Sequence, residues 1–189
     1  MIVRQLGRVE YLPIVEAMRA FTAARDAGTP DELWVLEHPP VFTAGQAGRA
    51  AHFPRTSSIP VVRTDRGGQI TYHGPGQAIV YVMVDLARRG LTVRELVRRM
   101  EAGVIALLAS HGVIADRRAG APGAYVAGAK VAALGLRVRH GRSYHGVALN
   151  VDMDLAPYTD IDPCGFPGLP VTQLVDLGIR LTPAQAGLA

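Results

Sequence analysis

Two apolar runs, Val131 to Arg139 and Tyr144 to Val151, are separated only by His140-Gly141-Arg142 and its flanks. So short a Gly-centred connection leaves no room for a crossover, so the two runs must pair as antiparallel strands. Further strand patterns fall at Ile2 to Leu6, Glu32 to Glu37 (stopped by Pro39-Pro40), Ile59 to Arg63 and Gln77 to Asp85. The clearest helix is Thr92 to Ser110. Val93, Leu96, Val97, Met100, Val104, Leu107 and Leu108 share one stripe, Thr92 and Glu95 form a capping box, and Gly112 is the stop. A second helix is expected over Pro13 to Ala27, with Ile14, Met18, Phe21 and Arg25 on one face and Gly28 as its cap. Residues 43–58 read as a mobile loop, Val171 to Leu177 as a short helix ended by Gly178, and the tail from Leu181 is weakly determined. Strands outnumber helices and neighbours form hairpins. The fold class is therefore α+β, a mixed or antiparallel sheet with packed helices, and not a doubly wound parallel sheet.

With 189 residues, 49% of them hydrophobic and 19% charged, the chain suits one domain spanning 1–189 with a substantial core. No apolar run approaches the roughly 18 residues that cross a bilayer. The segment MIVRQLGRVEYLP has no long apolar h-region and reads as a strand, not a signal peptide. The expected location is the cytoplasm, and no membrane partner is expected. A single Cys excludes an internal disulfide and fits a reducing compartment. The net charge of +4 favours an acidic partner. The arginines are spread along the chain and aromatics are few, so no nucleic-acid partner is expected. His38, His52, His111 and His140 lack ligand spacing, so no metal is expected, and Ser143 has no nucleophile-elbow setting.

Of the 20 Lys and Arg residues only Lys130 is lysine, and the lone cysteine is Cys164. A buried lysine can give up and take back a proton, which arginine cannot. Lys130 sits among small and apolar residues at a strand start, where desolvation disfavours its charge; a strand-edge Lys with its stem on apolar surface is the plainer alternative. Cys164 lies in a Pro/Gly loop, IDPCGFPG, where a thiol is exposed enough to react. An unperturbed Cys, with a pKa of ~8.5, is only about 3% thiolate at neutral pH. An ammonium at ~4 Å in a site of effective dielectric near 20 contributes about 4 kcal/mol, enough to make the thiolate dominant.

Two more segments stand out. In Asp65-Arg66-Gly67-Gly68-Gln69-Ile70-Thr71-Tyr72-His73-Gly74-Pro75-Gly76-Gln77, Gly pairs flank a short β-type stretch. Such backbone can lie along a thin ligand with Arg66 and His73 as polar heads, or simply turn. It is neither a dinucleotide fingerprint nor a Walker motif. In Tyr144-His145-Gly146-Val147-Ala148-Leu149-Asn150-Val151, Gly146 and Ala148 alternate along one strand face. That face lines a narrow apolar slot or permits close sheet packing.

Taken in order, RGGQITYHGPGQ at 66–77, GAKVAALGLR at 128–137, GVALNV at 146–151 and PCG at 163–165 resemble the lipoyl (octanoyl) transferases of protein lipoylation, over nearly the whole chain. The resemblance implies a fold like the catalytic domain of biotin and lipoate protein ligases. It implies transfer of an octanoyl or lipoyl group from octanoyl-acyl carrier protein to a lysine of lipoyl domains, those of 2-oxoacid dehydrogenase E2 subunits and of the glycine cleavage H protein. By motif, Cys164 is implied as the acyl-accepting nucleophile and Lys130 as its acid/base partner. The implied acyl-binding segments are Arg66 to His73 (Arg66, Gly67, Gly68, Gln69, Ile70, Thr71, Tyr72 and His73), Ala133-Leu134-Gly135 and Gly146-Val147-Ala148. No cofactor is implied, because a thioester is already activated, and the family leans toward a monomer. Backbone N–H groups near Gly165 or the 73–76 loop are the expected oxyanion donors. Two alternatives remain at this stage: an ATP-dependent lipoate or biotin protein ligase, and a non-catalytic acyl-binding module.

Overall fold

The computed structural model describes residues 1–49, 53–54, 57–162, 166 and 168–189. Cys164, Gly165 and Pro163 lie outside the described residues.

The expected hairpin is the spine of the molecule. Strands β8 (Ala129–Arg139) and β9 (Arg142–Asn150) pair antiparallel from Ala132↔Leu149 to Arg139↔Arg142, with His140 and Gly141 at φ 49° and 73°. That left-handed pair is the two-residue turn whose twist matches the flanking strands. The main sheet adds β1 (Ile2–Arg8), β2 (Glu32–Glu37), β6 (Gln77–Met83) and β7 (Gly123–Val126), in the order β1-β2-β6-β9-β8-β7. β1 and β2 are parallel, and every other pairing is antiparallel. A smaller sheet orders β4 (Val61–Arg63), β3 (Val41–Ala44) and β5 (Ile70–His73), with β4 parallel and β5 antiparallel to β3. The fold is thus α+β with mixed sheets, as the sequence predicts.

Helices cover both faces of the main sheet. On one, α1 (Tyr11–Ala24) buries Tyr11, Val15 and Met18 against Trp34, Leu36, Ile79 and Tyr81. On the other, α3 (Val93–Ser110) buries Val104 and Leu108 against Ala78, Val131, Val147 and Leu149. The α3 capping box forms as expected: Glu95 N–H donates to Thr92 Oγ1 (3.2 Å) and Thr92 N–H donates to Glu95 Oε2 (2.8 Å).

Several expectations need correction. α1 starts at Tyr11, two residues before Pro13, and ends at Ala24, so Gly28 is not its cap. Arg25 has left the helix and its buried guanidinium pairs with Asp31 at 2.6 Å, which also takes Arg88 and Arg89 of the short helix α2 (Leu86–Arg89). The presumed loop 43–58 begins as strand: Thr43 and Ala44 belong to β3, fully buried under Arg66 and Ile70. Val171 does not begin a helix; it bridges in parallel to Lys130, and only Val175–Leu177 forms a 3-10 turn, ended by Gly178 at φ 80°. The tail folds into α4 (Pro183–Leu188), capped by Thr182 and Gln185 and packed on β2 and β6.

Candidate active site

β7 and β8 are joined by Ala127-Gly128, both left-handed (φ 48° and 83°), and Lys130 is the second residue after this turn. In the next residues the register slips. Tyr125 pairs with Lys130, but Ala124 pairs with Ala132, so Val131 is an extra residue on β8. Strand alternation alone would put Lys130 on the face of Ala132 and Leu134, toward α3. The bulge reverses the phase and brings Lys130 to the same side as Ala133 and Gly135.

On that side lies a narrow slot, about 50 Å³ in volume. Its walls are Ala133, Leu134 and Gly135 of β8, Gly146, Val147 and Ala148 of β9, and Arg66, Gly68, Gln69, Ile70, Thr71 and His73 from β5 and the loop before it. Lys130 sits at one end, only 3% exposed, with its Nζ 5.2 Å from the Tyr125 ring centroid. Among the described residues picked out by motif, two do not line the slot. Tyr72, alternating with its neighbours on β5, packs instead on Phe42 and Tyr158. Gly67 uses its N–H to bond Leu136 O (2.8 Å), tying the Gly loop to β8.

Glycine is required at one of these positions and allows a close approach at a second. A Cβ on Gly146 would fall 2.0 Å from Val80 O, so only Gly lets β9 lie against β6 there. A Cβ on Gly135 would come within 3.1 Å of Gly67 O and 3.2 Å of Arg66 Cδ. The Arg66 guanidinium is buried and donates to Thr43 O, Thr43 Oγ1 (2.9 Å) and Gly67 O (3.0 Å). It therefore acts as a clamp on the loop that walls the slot.

Five further residues line the slot: Tyr11, Ile79, Tyr81 and Tyr158, which carry no motif, and His145, which sits beside Gly146 in the segment singled out above but had no role assigned. They form the floor with His73. Gln77 Nε2 donates to Asn150 Oδ1 (2.9 Å) and to Tyr158 Oη (3.0 Å), which turns Gln77 Oε1 toward His73 Nδ1 (2.8 Å). His73 Nδ1 therefore carries the proton, and its Nε2 accepts from the Thr43 hydroxyl (3.2 Å). His38, beneath the floor, donates from Nδ1 to Val9 O (2.7 Å) and accepts from the Tyr81 hydroxyl (2.7 Å). Burial pushes His73 down to about 3, aided by neighbouring His38, and His38 down to about 4. Burial lifts the Tyr158 phenol to about 12. The floor is thus polar but uncharged at neutral pH. His145 holds a left-handed backbone (φ 62°), a strained state for a residue with a Cβ. It is fixed by stacking on Tyr144 and by Asp65, 3.1 Å from its Nε2. Burial works against the Asp65 carboxylate, but His145, Tyr144 and Arg19 outweigh it and hold Asp65 well below the usual range. Tyr11, Ile79, Tyr81 and Tyr158 were not legible because they reach the slot from α1, β6 and the 3-10 turn at 156–160, far apart in sequence.

Residues that follow Cys164 are placed beside Lys130. Lys130 N–H donates to Pro170 O (2.8 Å) and Lys130 O accepts from Thr172 N–H (2.9 Å). Phe166 and Leu169 pack with Tyr125, the ring under the Lys130 amine, and Arg118 stacks on Phe166 at 4.5 Å. In the other candidate oxyanion loop, Gly76 N–H is already donated to Glu37 Oε2 (2.7 Å). Glu101 of α3 accepts from Gly123 N–H (3.1 Å) and from Arg117 Nε (3.0 Å), fixing the start of β7 beside the Lys130 side chain. Among the described residues no helix is long and apolar enough to cross a membrane.

Residues 11–186 match the family model of the lipoyl protein ligase A/B catalytic domain. The chain is 63% identical over 185 residues to an octanoyltransferase of Thiobacillus denitrificans, covering 98% of this chain and 85% of the relative. It is 62% identical over 187 residues to an octanoyltransferase of Aromatoleum aromaticum, covering 99% and 81%. Among solved structures, a bipartite lipoate protein ligase from Thermoplasma acidophilum superposes with a TM-score of 0.75 at 16% identity, over 98% of this chain and 78% of that one. The biotin protein ligase of Aquifex aeolicus superposes with a TM-score of 0.57 at 11% identity, over 100% and 64%. These two likenesses establish the fold; the high-identity relatives establish the branch. The chain belongs to the octanoyltransferase branch of the lipoyl protein ligase A/B catalytic-domain family, and it is an acyltransferase.

Proposed function

We propose that this enzyme moves an octanoyl group from the thioester of acyl carrier protein to the lysine amine of a lipoyl domain, by way of an acyl thioester on Cys164. The observation that carries this reading is the placement of Lys130. The chain's one lysine is buried at the end of an apolar slot, and its backbone grips the segment that follows Cys164.

The Cys164 thiolate attacks the thioester carbonyl, a new C–S bond forms, and the carrier's C–S bond breaks. The departing carrier sulfur takes a proton from the Lys130 ammonium. The acceptor lysine then enters as a free amine and attacks the Cys164 thioester. Its proton passes to the Lys130 amine as the amide forms, and the Cys164 thiolate is restored. Proton and electron counts return to their starting state, so no nucleotide is consumed. The slot supplies several kcal/mol by burying methylenes at about 0.8 kcal/mol each. The net positive charge suits an acidic carrier.

The test is intact mass after mixing the enzyme with octanoyl carrier. A gain of one octanoyl group is expected, lost in Cys164→Ala and discharged by an added lipoyl domain. If Cys164→Ala keeps full activity with free octanoate and ATP, the chain is a ligase. If no mass is gained and nothing is transferred, it is a binding module.

A further inference from the structure

Gly68, Gln69, Leu134 and Gly135 line the slot on one side and, on the other, a second cavity of about 330 Å³. This second cavity opens where β8 loses its partner. β7 ends opposite Ala133, at Gly123, so the outer edge of β8 beyond that point faces Pro122 and the first turn of α3 instead of a strand. Within the partition, Gln69 Oε1 is buried and makes no hydrogen bond to the described residues.

Length places the partition relative to the acyl chain. An extended alkyl chain rises about 1.3 Å per C–C bond, each bond being near 1.5 Å. The seven C–C bonds of an octanoyl group therefore span roughly 9 Å, and a strand rises about 3.3 Å per residue, which makes close to three residues of β8. With the acyl carbonyl beside Lys130, the methyl end falls at Ala133 to Leu134, against the partition. A twelve-carbon chain needs about 5 Å more, one and a half residues further along the strand, which carries it through Gly135 and into the second cavity.

Resting on the octanoyl reading above, we propose that Gln69 is the chain-length stop of this enzyme. With the β8 backbone at Leu134 and Gly135, it separates the slot from a cavity able to take the end of a longer acyl chain. Trimming Gln69 opens the passage, and adding a side chain at Gly135, whose Cβ would press on Gly67 O and Arg66 Cδ, shortens the slot.

The experiment compares C6, C8 and C12 acyl carriers as donors to a lipoyl domain, in the wild type, Gln69→Ala and Gly135→Ala. For Gln69→Ala the C12:C8 ratio of kcat/KM is expected to rise tenfold or more. For Gly135→Ala the C6:C8 ratio is expected to rise by a similar factor. The ratios separate specificity from general damage, because a poorly folded variant lowers all lengths alike. Ratios unchanged within twofold in both variants, with the wild type active on C8, overturn the stop while leaving the transferase reading intact. A wild type that transfers no C8 overturns both.

Discussion

Lys130 reaches the slot through a one-residue bulge at Val131, and its role rests on being an amine and not merely a cation. Lys130→Arg separates the two properties, since guanidinium keeps the charge but does not release a proton at working pH. Octanoyl transfer to a lipoyl domain is expected to fall by about 10²-fold or more, the usual scale for losing a general acid/base. Transfer within threefold of wild type would refute the proton-shuttle role. The singular Lys and Cys were legible because each stands alone in the composition. The bulge was not: nothing in GAKVAA marks Val131 as extra, and simple alternation turns Lys130 to the wrong side of the sheet. Tyr11, Tyr81 and Tyr158 were hidden for a different reason. They come from α1, β6 and the 3-10 turn at 156–160, and only packing brings them to one floor.

At the level of elements, legibility followed the length of the pattern. The α3 stripe runs for five turns and its capping box appears as read. Thr92→Ala removes the side-chain half of that box and is expected to cost about 1 kcal/mol. That lowers the thermal midpoint by roughly 2–4 °C in a chain of this size, measurable by circular dichroism. β7, with only Gly123–Val126, and β3, just past Pro39-Pro40, were too short to show any period. Their strand state is imposed by the partners β8 and β5. The 73–76 turn is more constrained than its sequence suggests. Gly76 sits at φ 85°, and a Cβ there would fall 1.8 Å from Asp152 O. The same residue's carbonyl accepts from Val151 and Asp152 N–H. Gly76→Ala is therefore expected to destabilise the fold by more than the cap variant, by about 2 kcal/mol or more, because the obstacle is backbone and not a movable side chain. A smaller shift in the urea midpoint than that of Thr92→Ala would refute this.

Across the whole molecule, the main sheet separates an apolar layer under α3 from a polar, aromatic layer under α1. Among the described residues only the second contains buried imidazoles, His38, His73 and His145. That asymmetry makes stability depend on pH in a definite direction. Burial lowers all three, and the two with the largest shifts, His38 and His73, fall from 6.5 to about 4 and about 3. The unfolded chain therefore binds more protons than the folded one from about pH 6.5 downward, and unfolding free energy must fall as pH falls through that range. Each pKa unit is worth about 1.4 kcal/mol, so the two rings together give a loss of several kcal/mol by pH 4.5. Asp31, lowered to about 2 by its arginines and by Asp85 N–H against the cost of burial, acts in a lower window. Its contribution is intact above about pH 4 and is lost only as pH drops toward 2. Acid unfolding should thus begin with the histidines and not with the carboxylates. Urea unfolding at pH 7.5, 6, 5 and 4.5 is expected to show a steady decline, and His73→Gln, which keeps an amide in place of the ring, a shallower one. A wild-type free energy flat between pH 7.5 and 4.5 would mean that the imidazoles beneath the slot take up protons without disrupting the fold. The neutral floor on which the acyl chain is placed here would then be wrong.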